Sequence, residues 1–105
     1  MEFVRYNFNN STRSVPHFEM NAFYKNKWVG HYQRRGNLIE NVFIVQEMRG
    51  KGMCQMMLRH AINTKKHLRL KVLENNKAAK HCYTKLGFKE VGRKDGIIDM
   101  LHVSK

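Results

Sequence analysis

The stretch that decides the fold runs from residue 38 to residue 54 and reads LIENVFIVQEMRGKGMC. Residues 38–45 are apolar at all but two positions, which predicts a central strand buried on both faces. After Gly50 and Gly52, apolar residues recur at helical spacing from Met53 onward, which predicts an amphipathic helix. Glycines at such a junction let the backbone approach a ligand, and the amides at a helix N-terminus favour an anion. The segment therefore predicts an anion site between a strand and a helix.

Two common phosphate-binding motifs do not fit this junction. A P-loop, G-x-x-x-x-G-K-[ST], cannot be written through Gly50 and Gly52. A dinucleotide fingerprint needs a third glycine where Gln55 stands, and its fold needs more length than 105 residues. A lone G-x-G is weak evidence for any particular ligand. The kind of anion site must therefore be inferred from the elements on either side of the junction.

The remaining chain divides by its hydrophobic period into further strands and a second helix. Before the junction we expect strands over residues 2–8, 18–22 and 28–32, with turns over residues 9–13, 25–27 and 34–37. The first helix carries one apolar stripe, made of Met53, Cys54, Met57, Leu58, Ala61 and Ile62. Beyond it we expect a strand over residues 68–72 and a short helix that Asn75 and Asn76 cap and Gly87 ends. Two closing strands follow, over residues 88–91 and 97–103.

These elements predict an α+β fold in the order β-β-β-β-α-β-α-β-β, with antiparallel strands first and a βαβ crossover after them. The chain holds one proline and no linker-like or repetitive segment, so we expect a single domain over residues 1–105.

Two motifs make the pattern recognisable. Residues 49–54, RGKGMC, resemble the R/Q-x-x-G-x-G/A acetyl-CoA signature of the GNAT superfamily of N-acetyltransferases. That family's N-x-x-A-x-x-x-Y-x-x-x-G-F pattern is matched by Asn76, Ala79, Tyr83, Gly87 and Phe88. The resemblance covers residues 38–91 by motif and residues 17–36 by strand pattern only. It implies a GNAT-like twisted mixed sheet without the usual two helices between the first and second strands.

The resemblance also implies the roles of the site residues. The backbone amides of Arg49, Gly50, Lys51, Gly52, Met53 and Cys54 would cradle the CoA pyrophosphate. The main chain of Val42, Phe43, Ile44 and Val45 would pair with pantetheine, and the Val42 amide would polarise the acetyl carbonyl. Asn76 would hydrogen-bond near the pantetheine arm, and Ala79 belongs to the same motif. Tyr83 would protonate the departing thiolate, as a phenol of pKa about 10 can do for a thiol of pKa about 8.5.

Two positions depart from the family pattern. Cys54 stands where Gly or Ala is usual, so its side chain is expected to crowd the phosphate. Lys71 stands where many members place a carboxylate base. We therefore take Glu40 as the base that accepts the amine proton, in a buried setting that would raise its pKa. Glu74, His31 and a water chain are the alternatives.

The net charge of +12 is concentrated in residues 49–94, which hold thirteen Lys and Arg against Glu74 and Glu90. Such a block attracts anions, either nucleic acid, a phosphorylated cofactor or an acidic protein, although a solvated surface explains scattered lysines as well. CoA carries about four negative charges, so most of the block exceeds what the cofactor needs. Since the acceptor site is expected to be open where two helices are missing, unless a second subunit closes it, we predict a macromolecular acceptor with an acidic surface.

Three functions follow from these observations. The first is an N-acetyltransferase that moves an acetyl group directly from acetyl-CoA to a primary amine, a lysine of an acidic or nucleic-acid-associated protein. The second is a catalytically silent CoA-binding domain, and the third is a basic module that binds nucleic acid through Arg59, Lys65, Lys66, Arg69 and Lys71. Thiol release separates the first two, and a steep salt dependence identifies the third.

The cysteines and the hydropathy of the chain bear on its location and on the state of Cys82. Two cysteines are too few for a disulfide scaffold, which suits a reducing, cytoplasmic location. Cys82 has no histidine placed to activate it and is expected to be a buried free thiol rather than a nucleophile. No membrane span, signal peptide or metal-ligand spacing is present in the sequence, so neither a membrane nor a metal is expected.

Overall fold

The computed structural model describes residues 1–8, 16–65 and 67–103. The elements follow the predicted order, and the mixed α+β class is confirmed. The chain forms two compact units, Met1–Met53 and Cys54–Lys105, while the single domain over residues 1–105 stays a prediction. The turn expected over residues 9–13 lies outside the described residues.

The first unit is built on four antiparallel strands that pair in chain order. They are β1 (Glu2–Asn7), β2 (His17–Tyr24), β3 (Lys27–Arg35) and β4 (Leu38–Ile44). On β2 the buried residues Phe18, Met20 and Ala22 alternate with half-buried polar ones, as a strand with one core face requires. The unit therefore has one apolar face and one face of polar and aromatic side chains.

The β2–β3 connection is tighter than the sequence predicted. Only Lys25 and Asn26 form the turn, and both have positive φ, at 51° and 65°. A two-residue turn with two left-handed residues matches the twist of the strands that flank it, so Lys27 joins β3. Likewise Arg34 and Arg35 belong to β3 rather than to the following turn.

The prediction that β4 is buried on both faces is wrong. Within this strand only Ile39 is buried, whereas Asn41 and Phe43 are exposed. Asn41 has φ 52°, and the β3–β4 register is irregular at this point, so the strand bulges and its outer half turns away from the core. A short 3₁₀ helix, Gln46–Met48, follows and was not predicted.

The second unit combines two helices with three antiparallel strands. Its elements are α1 (Met53–Thr64, of which only Met53 falls in the first unit), β5 (His67–Leu73), α2 (Lys77–Lys85), β6 (Lys89–Lys94) and β7 (Ile97–Val103). The strand β7 lies between β5 and β6 and pairs with both. Its core is formed by Met57, Leu58, Ala61, Leu68, Leu70, Tyr83, Phe88, Ile98 and Met100.

The two cysteines are joined rather than free. Cys54 in the first turn of α1 and Cys82 in α2 form a disulfide with their Cα atoms 6.4 Å apart. The expectation that Cys82 is a free buried thiol is therefore wrong, because 28 residues of sequence separate two positions that the fold brings together. The sulfur of Cys54 is committed to this bridge. The cytoplasmic location stays a prediction.

None of the helices among the described residues is long and apolar enough to span a bilayer.

Candidate functional site

The loop before α1 has a left-handed backbone at both of its glycines. Gly50 and Gly52 both have φ 76°, a conformation that costs a residue with a side chain roughly 1–2 kcal/mol. A Cβ atom built on either glycine would meet nothing within 4 Å, so the space above the loop is open. Within the described part of the chain, the amides of Gly50, Lys51 and Gly52 donate to no protein acceptor. The loop therefore presents free N–H groups to solvent, as an anion site requires.

The helix that follows adds to this character. The first turn of α1 contains no acidic residue, and its first amides lack partners within the helix. Lys51 is exposed beside them. Because the N-terminal end of a helix carries partial positive charge, loop and helix together favour a phosphate group.

Arg49 differs from its neighbours, since both its amide and its side chain are engaged. Its amide donates to the Gln46 carbonyl at 3.2 Å. Its Nε donates to the Ile44 carbonyl at 2.9 Å, and its guanidinium lies 5.7 Å from the centre of the Phe43 ring. Arg49 therefore holds the end of β4 against the loop, and the amides left for a pyrophosphate begin at Gly50.

The predicted pantetheine strand is only partly paired with β3. Phe43 and Ile44 pair with His31 and Gly30 of β3, and the Val45 amide donates to the Val29 carbonyl at 2.9 Å. Val42 lies in the bulge and has no partner in the β3–β4 register. That the Val42 amide polarises an acetyl carbonyl stays a prediction.

The second motif lies at the start of α2 and on its buried face. The Asn76 side chain caps the helix, its Oδ1 accepting from the Ala79 amide at 3.2 Å, as the sequence predicted. The capping uses the oxygen, so the Asn76 side-chain NH₂ is the group left to donate to a ligand.

Tyr83 is 7% exposed, and burial raises the pKa of its phenol above the ordinary value of 10. Its hydroxyl bonds no described residue and is not among the buried polar atoms that lack a partner, so it reaches solvent. A phenol that stays protonated at neutral pH and reaches solvent can serve as a proton donor.

The prediction that Glu40 is buried is wrong. Its carboxylate is 29% exposed and receives three hydrogen bonds from Arg35, at 2.7, 3.0 and 3.1 Å. Both oxygens are therefore committed to a guanidinium, and Glu40 is not a carboxyl buried alone. The alternative Glu74 is likewise paired, with Arg93 at 3.1 Å.

The second alternative, His31, lies in a cluster of side chains that was not predicted from the sequence. His31 Nδ1 is 3.3 Å from a Glu19 oxygen, and the ring faces Trp28 and Phe43 at centroid distances of 5.8 and 5.9 Å. The period-2 alternation of β2 and β3 could have placed Glu19 and His31 on one face. It could not have added Phe43, because the bulge in β4 breaks the alternation.

Comparison with known proteins decides the family. A family model described as an acetyltransferase (GNAT) domain matches residues 17–90. The chain belongs to this GNAT family.

Similar proteins agree with this assignment. Peptidyl-lysine N-acetyltransferase YjaB of Salmonella typhimurium is 34% identical over 67 residues, which cover 64% of this chain and 46% of that protein. The chain thus spans about half the length of this curated relative. The N-acetyltransferase paia of Thermoplasma acidophilum, solved in complex with coenzyme A, superposes with TM-score 0.72 at 21% identity, covering 81% of this chain and 59% of that one. The F149A mutant of the spermidine N-acetyltransferase SpeG of Vibrio cholerae gives TM-score 0.72 at 17% identity, covering 83% and 65%. At these identities the two structures show the fold alone.

Within this GNAT domain, the donor set suits a phosphorylated thioester cofactor. The loop over residues 50–52 offers amides and open space, and Lys51 offers charge. Within residues 1–8, 16–65 and 67–103, no three His, Cys, Asp or Glu side chains are grouped to hold a metal ion.

Proposed function

We propose that the chain is an N-acetyltransferase that transfers an acetyl group from acetyl-CoA directly to the side-chain amine of a lysine on an acidic or nucleic-acid-associated protein. The observation that carries the proposal is the loop with left-handed Gly50 and Gly52, whose amides and surrounding space are open, in a chain matched by a GNAT model over residues 17–90. When bound, acetyl-CoA supplies an acetyl group on a good leaving group.

The chain's own groups then have separate tasks. The amides from Gly50 to Met53, with Lys51, bind the pyrophosphate, and Asn76 donates a hydrogen bond near the pantetheine arm. The Val42 amide stabilises negative charge on the carbonyl oxygen as the amine attacks. The new C–N bond forms as the C–S bond breaks, and the Tyr83 hydroxyl gives its proton to the departing sulfur. A base removes one proton from the attacking ammonium, and the second proton that the nitrogen loses as it becomes an amide returns to the Tyr83 phenolate.

The choice of a protein lysine rests on charge and on a relative. The YjaB relative is named a peptidyl-lysine N-acetyltransferase. The basic block over residues 49–94 carries far more positive charge than CoA neutralises, and a polycation such as spermidine would be repelled by it. An acidic protein surface is the acceptor that this charge favours.

The test compares acceptors in one thiol-release assay. The acceptors are an acidic peptide with one central lysine, the same peptide with arginine in its place, a basic lysine peptide and spermidine. We expect release only with the lysine peptides and spermidine, at the highest kcat/KM with the acidic peptide. We also expect a fall in kcat of about 100-fold for Tyr83→Phe, with the KM for acetyl-CoA unchanged. Equal kcat/KM for spermidine and the acidic peptide would refute the choice of acceptor.

A silent CoA-binding domain and a nucleic-acid-binding module are the competing functions. CoA binding without thiol release for any acceptor would favour the first. Binding of duplex DNA that falls steeply with salt, together with no thiol release, would favour the second.

A further inference from the structure

The polar face of the first unit contains a cavity of about 490 Å³, lined by Trp28, His31, Asn41, Val42 and Phe43. The rings of Trp28 and Phe43 are stacked, with centroids 5.9 Å apart and planes inclined by 16°. Trp28 is 38% exposed and Phe43 is 41% exposed, although both are large and could have been buried in the core. Exposed aromatic rings around a cavity mark a binding site rather than ordinary surface.

The side chains that line this cavity are linked to a polar network around the carboxylate of Glu19 on β2. Its Oε1 is 3.3 Å from His31 Nδ1 and accepts from Gln33 Nε2 at 3.1 Å, while Oε2 accepts from Asn21 Nδ2 at 3.2 Å. The Asn21 oxygen accepts in turn from Trp28 Nε1 at 2.9 Å. The same carboxylate thus orients the imidazole directly and the indole through one amide.

This network also decides which imidazole nitrogen can accept a proton. The negative charge of a carboxylate 3.3 Å from Nδ1 disfavours a lone pair on that nitrogen, so in the neutral ring the proton is favoured on Nδ1 and the lone pair on Nε2. The Arg49 guanidinium also lies near the cavity, 5.7 Å from the centre of the Phe43 ring, and its Nε donates to the Ile44 carbonyl. The cavity therefore combines aromatic faces, which attract a cation, with a base that its neighbours hold in one tautomer.

We propose that this cavity binds the alkylammonium side chain of the acceptor lysine and that His31 is its general base. The lysine methylenes pack against the exposed surfaces of Trp28 and Phe43, and the ammonium lies beside His31. One N–H bond breaks, the proton goes to His31 Nε2, and the nitrogen keeps the electron pair that forms the bond to the acetyl carbon. Val42, whose amide is predicted to hold the carbonyl oxygen, lines the same cavity. This inference rests on the proposed function and deepens it.

The first experiment measures binding alone and needs no activity. Trp28 is the one tryptophan of the sequence, so its fluorescence reports on the cavity in the whole chain. Titration with Nα-acetyl-lysine amide is expected to change the emission saturably. Nα-acetyl-norleucine amide, which has the alkyl chain without the ammonium, is expected to bind about 2- to 5-fold more weakly, since a cation–π contact at an exposed site contributes about 0.5–1 kcal/mol. No saturable change with the lysine compound, in a chain that acetylates lysine peptides, would overturn the pocket assignment while the function stands.

The second experiment tests the base through kinetics. His31→Gln is expected to lower kcat about 100-fold and to leave lysine-amide binding within about twofold, whereas the matched exposed variant His67→Gln is expected to match the parent chain. Imidazole in solution is expected to restore part of the rate to His31→Ala. Glu19→Gln is expected to lower kcat less than His31→Gln does, because it acts by positioning the ring, with Glu2→Gln as its control.

The outcomes separate the two proposals. An unchanged kcat in His31→Gln would overturn the role of His31. Binding of the lysine compound by a chain that acetylates no amine would overturn the proposed function and the role of His31 as a base, while the cavity would stand as an alkylammonium site.

Discussion

Replacement of Gly52 by alanine, with Gly96→Ala as its matched control, separates backbone strain from cofactor binding. The two glycines have φ values of 76° and 77°, and a Cβ atom on either would meet nothing within 4 Å. Neither alanine therefore clashes, and each variant loses stability only through its left-handed backbone, by roughly 1–2 kcal/mol. For a domain of this size, that corresponds to a fall in Tm of roughly 5–10 °C in both variants.

The affinity for CoA is expected to differ between the same two variants. Gly96 lies in the β6–β7 turn, whereas Gly52 precedes α1. If the Gly52→Ala methyl group displaces one amide–phosphate hydrogen bond, the loss of about 1.5–3 kcal/mol weakens CoA binding roughly 10- to 100-fold. We expect Gly96→Ala to bind CoA like the parent chain.

Isothermal titration calorimetry with CoA and thermal unfolding of the three proteins provide the two readouts. A similar loss of CoA affinity in both variants would show that strain alone weakens binding. Unchanged affinity in Gly52→Ala would refute the loop as the pyrophosphate site.

Three further predictions concern stability and capping. Reduction of the Cys54–Cys82 bridge removes a constraint across 28 residues, which is expected to cost about 3.6 kcal/mol and to lower Tm by roughly 15 °C; a melting curve that does not respond to dithiothreitol would contradict it. Burial raises the pKa of Tyr32 to about 12, so its contribution of about 2–3 kcal/mol is complete below pH 10 and is lost as pH rises through 12. Circular dichroism should therefore show alkaline unfolding that Tyr32→Phe shifts to higher pH. Asn76→Ala should cost about 1 kcal/mol by urea unfolding because the α2 cap is lost, whereas Asn76→Asp should keep the cap and weaken only CoA binding.

The element order could be predicted from the sequence because, in most segments, the hydrophobic period and the flanking turn or capping residues indicated the same element. The alternation Leu68, Leu70, Val72 gave β5, and Asn76 and Gly87 bounded α2. Turns were placed too broadly because their residues are polar whether or not they are paired, as Arg34 and Arg35 in β3 show. The bulge at Asn41 could not be predicted, since an apolar run does not reveal a register irregularity.

The cofactor side of the site was more predictable than the acceptor side. Backbone amides bind phosphate through local geometry, so a glycine motif in sequence is enough to locate them. A base depends instead on which side chains the pairing of strands brings together. In sequence, Glu40 is a carboxylate without a neighbouring partner, which suggests it as the base. The β3–β4 pairing places it within reach of Arg35 instead, and the β2–β3 pairing brings Glu19 beside His31. The disulfide escaped prediction because it depends on the fold bringing Cys54 of α1 beside Cys82 of α2, 28 residues further along the chain.

The most direct test of direct acetyl transfer is mass spectrometry of the whole chain and an acidic lysine peptide, incubated with isotopically labelled acetyl-CoA. We expect one labelled acetyl group on the peptide lysine for each CoA released, with no acetyl group on the enzyme when the peptide is omitted. The bridged state of both cysteines agrees with this, since neither offers a thiol to carry the group. Labelled enzyme that then passes its label to the peptide, or no labelled peptide despite CoA binding, would contradict it.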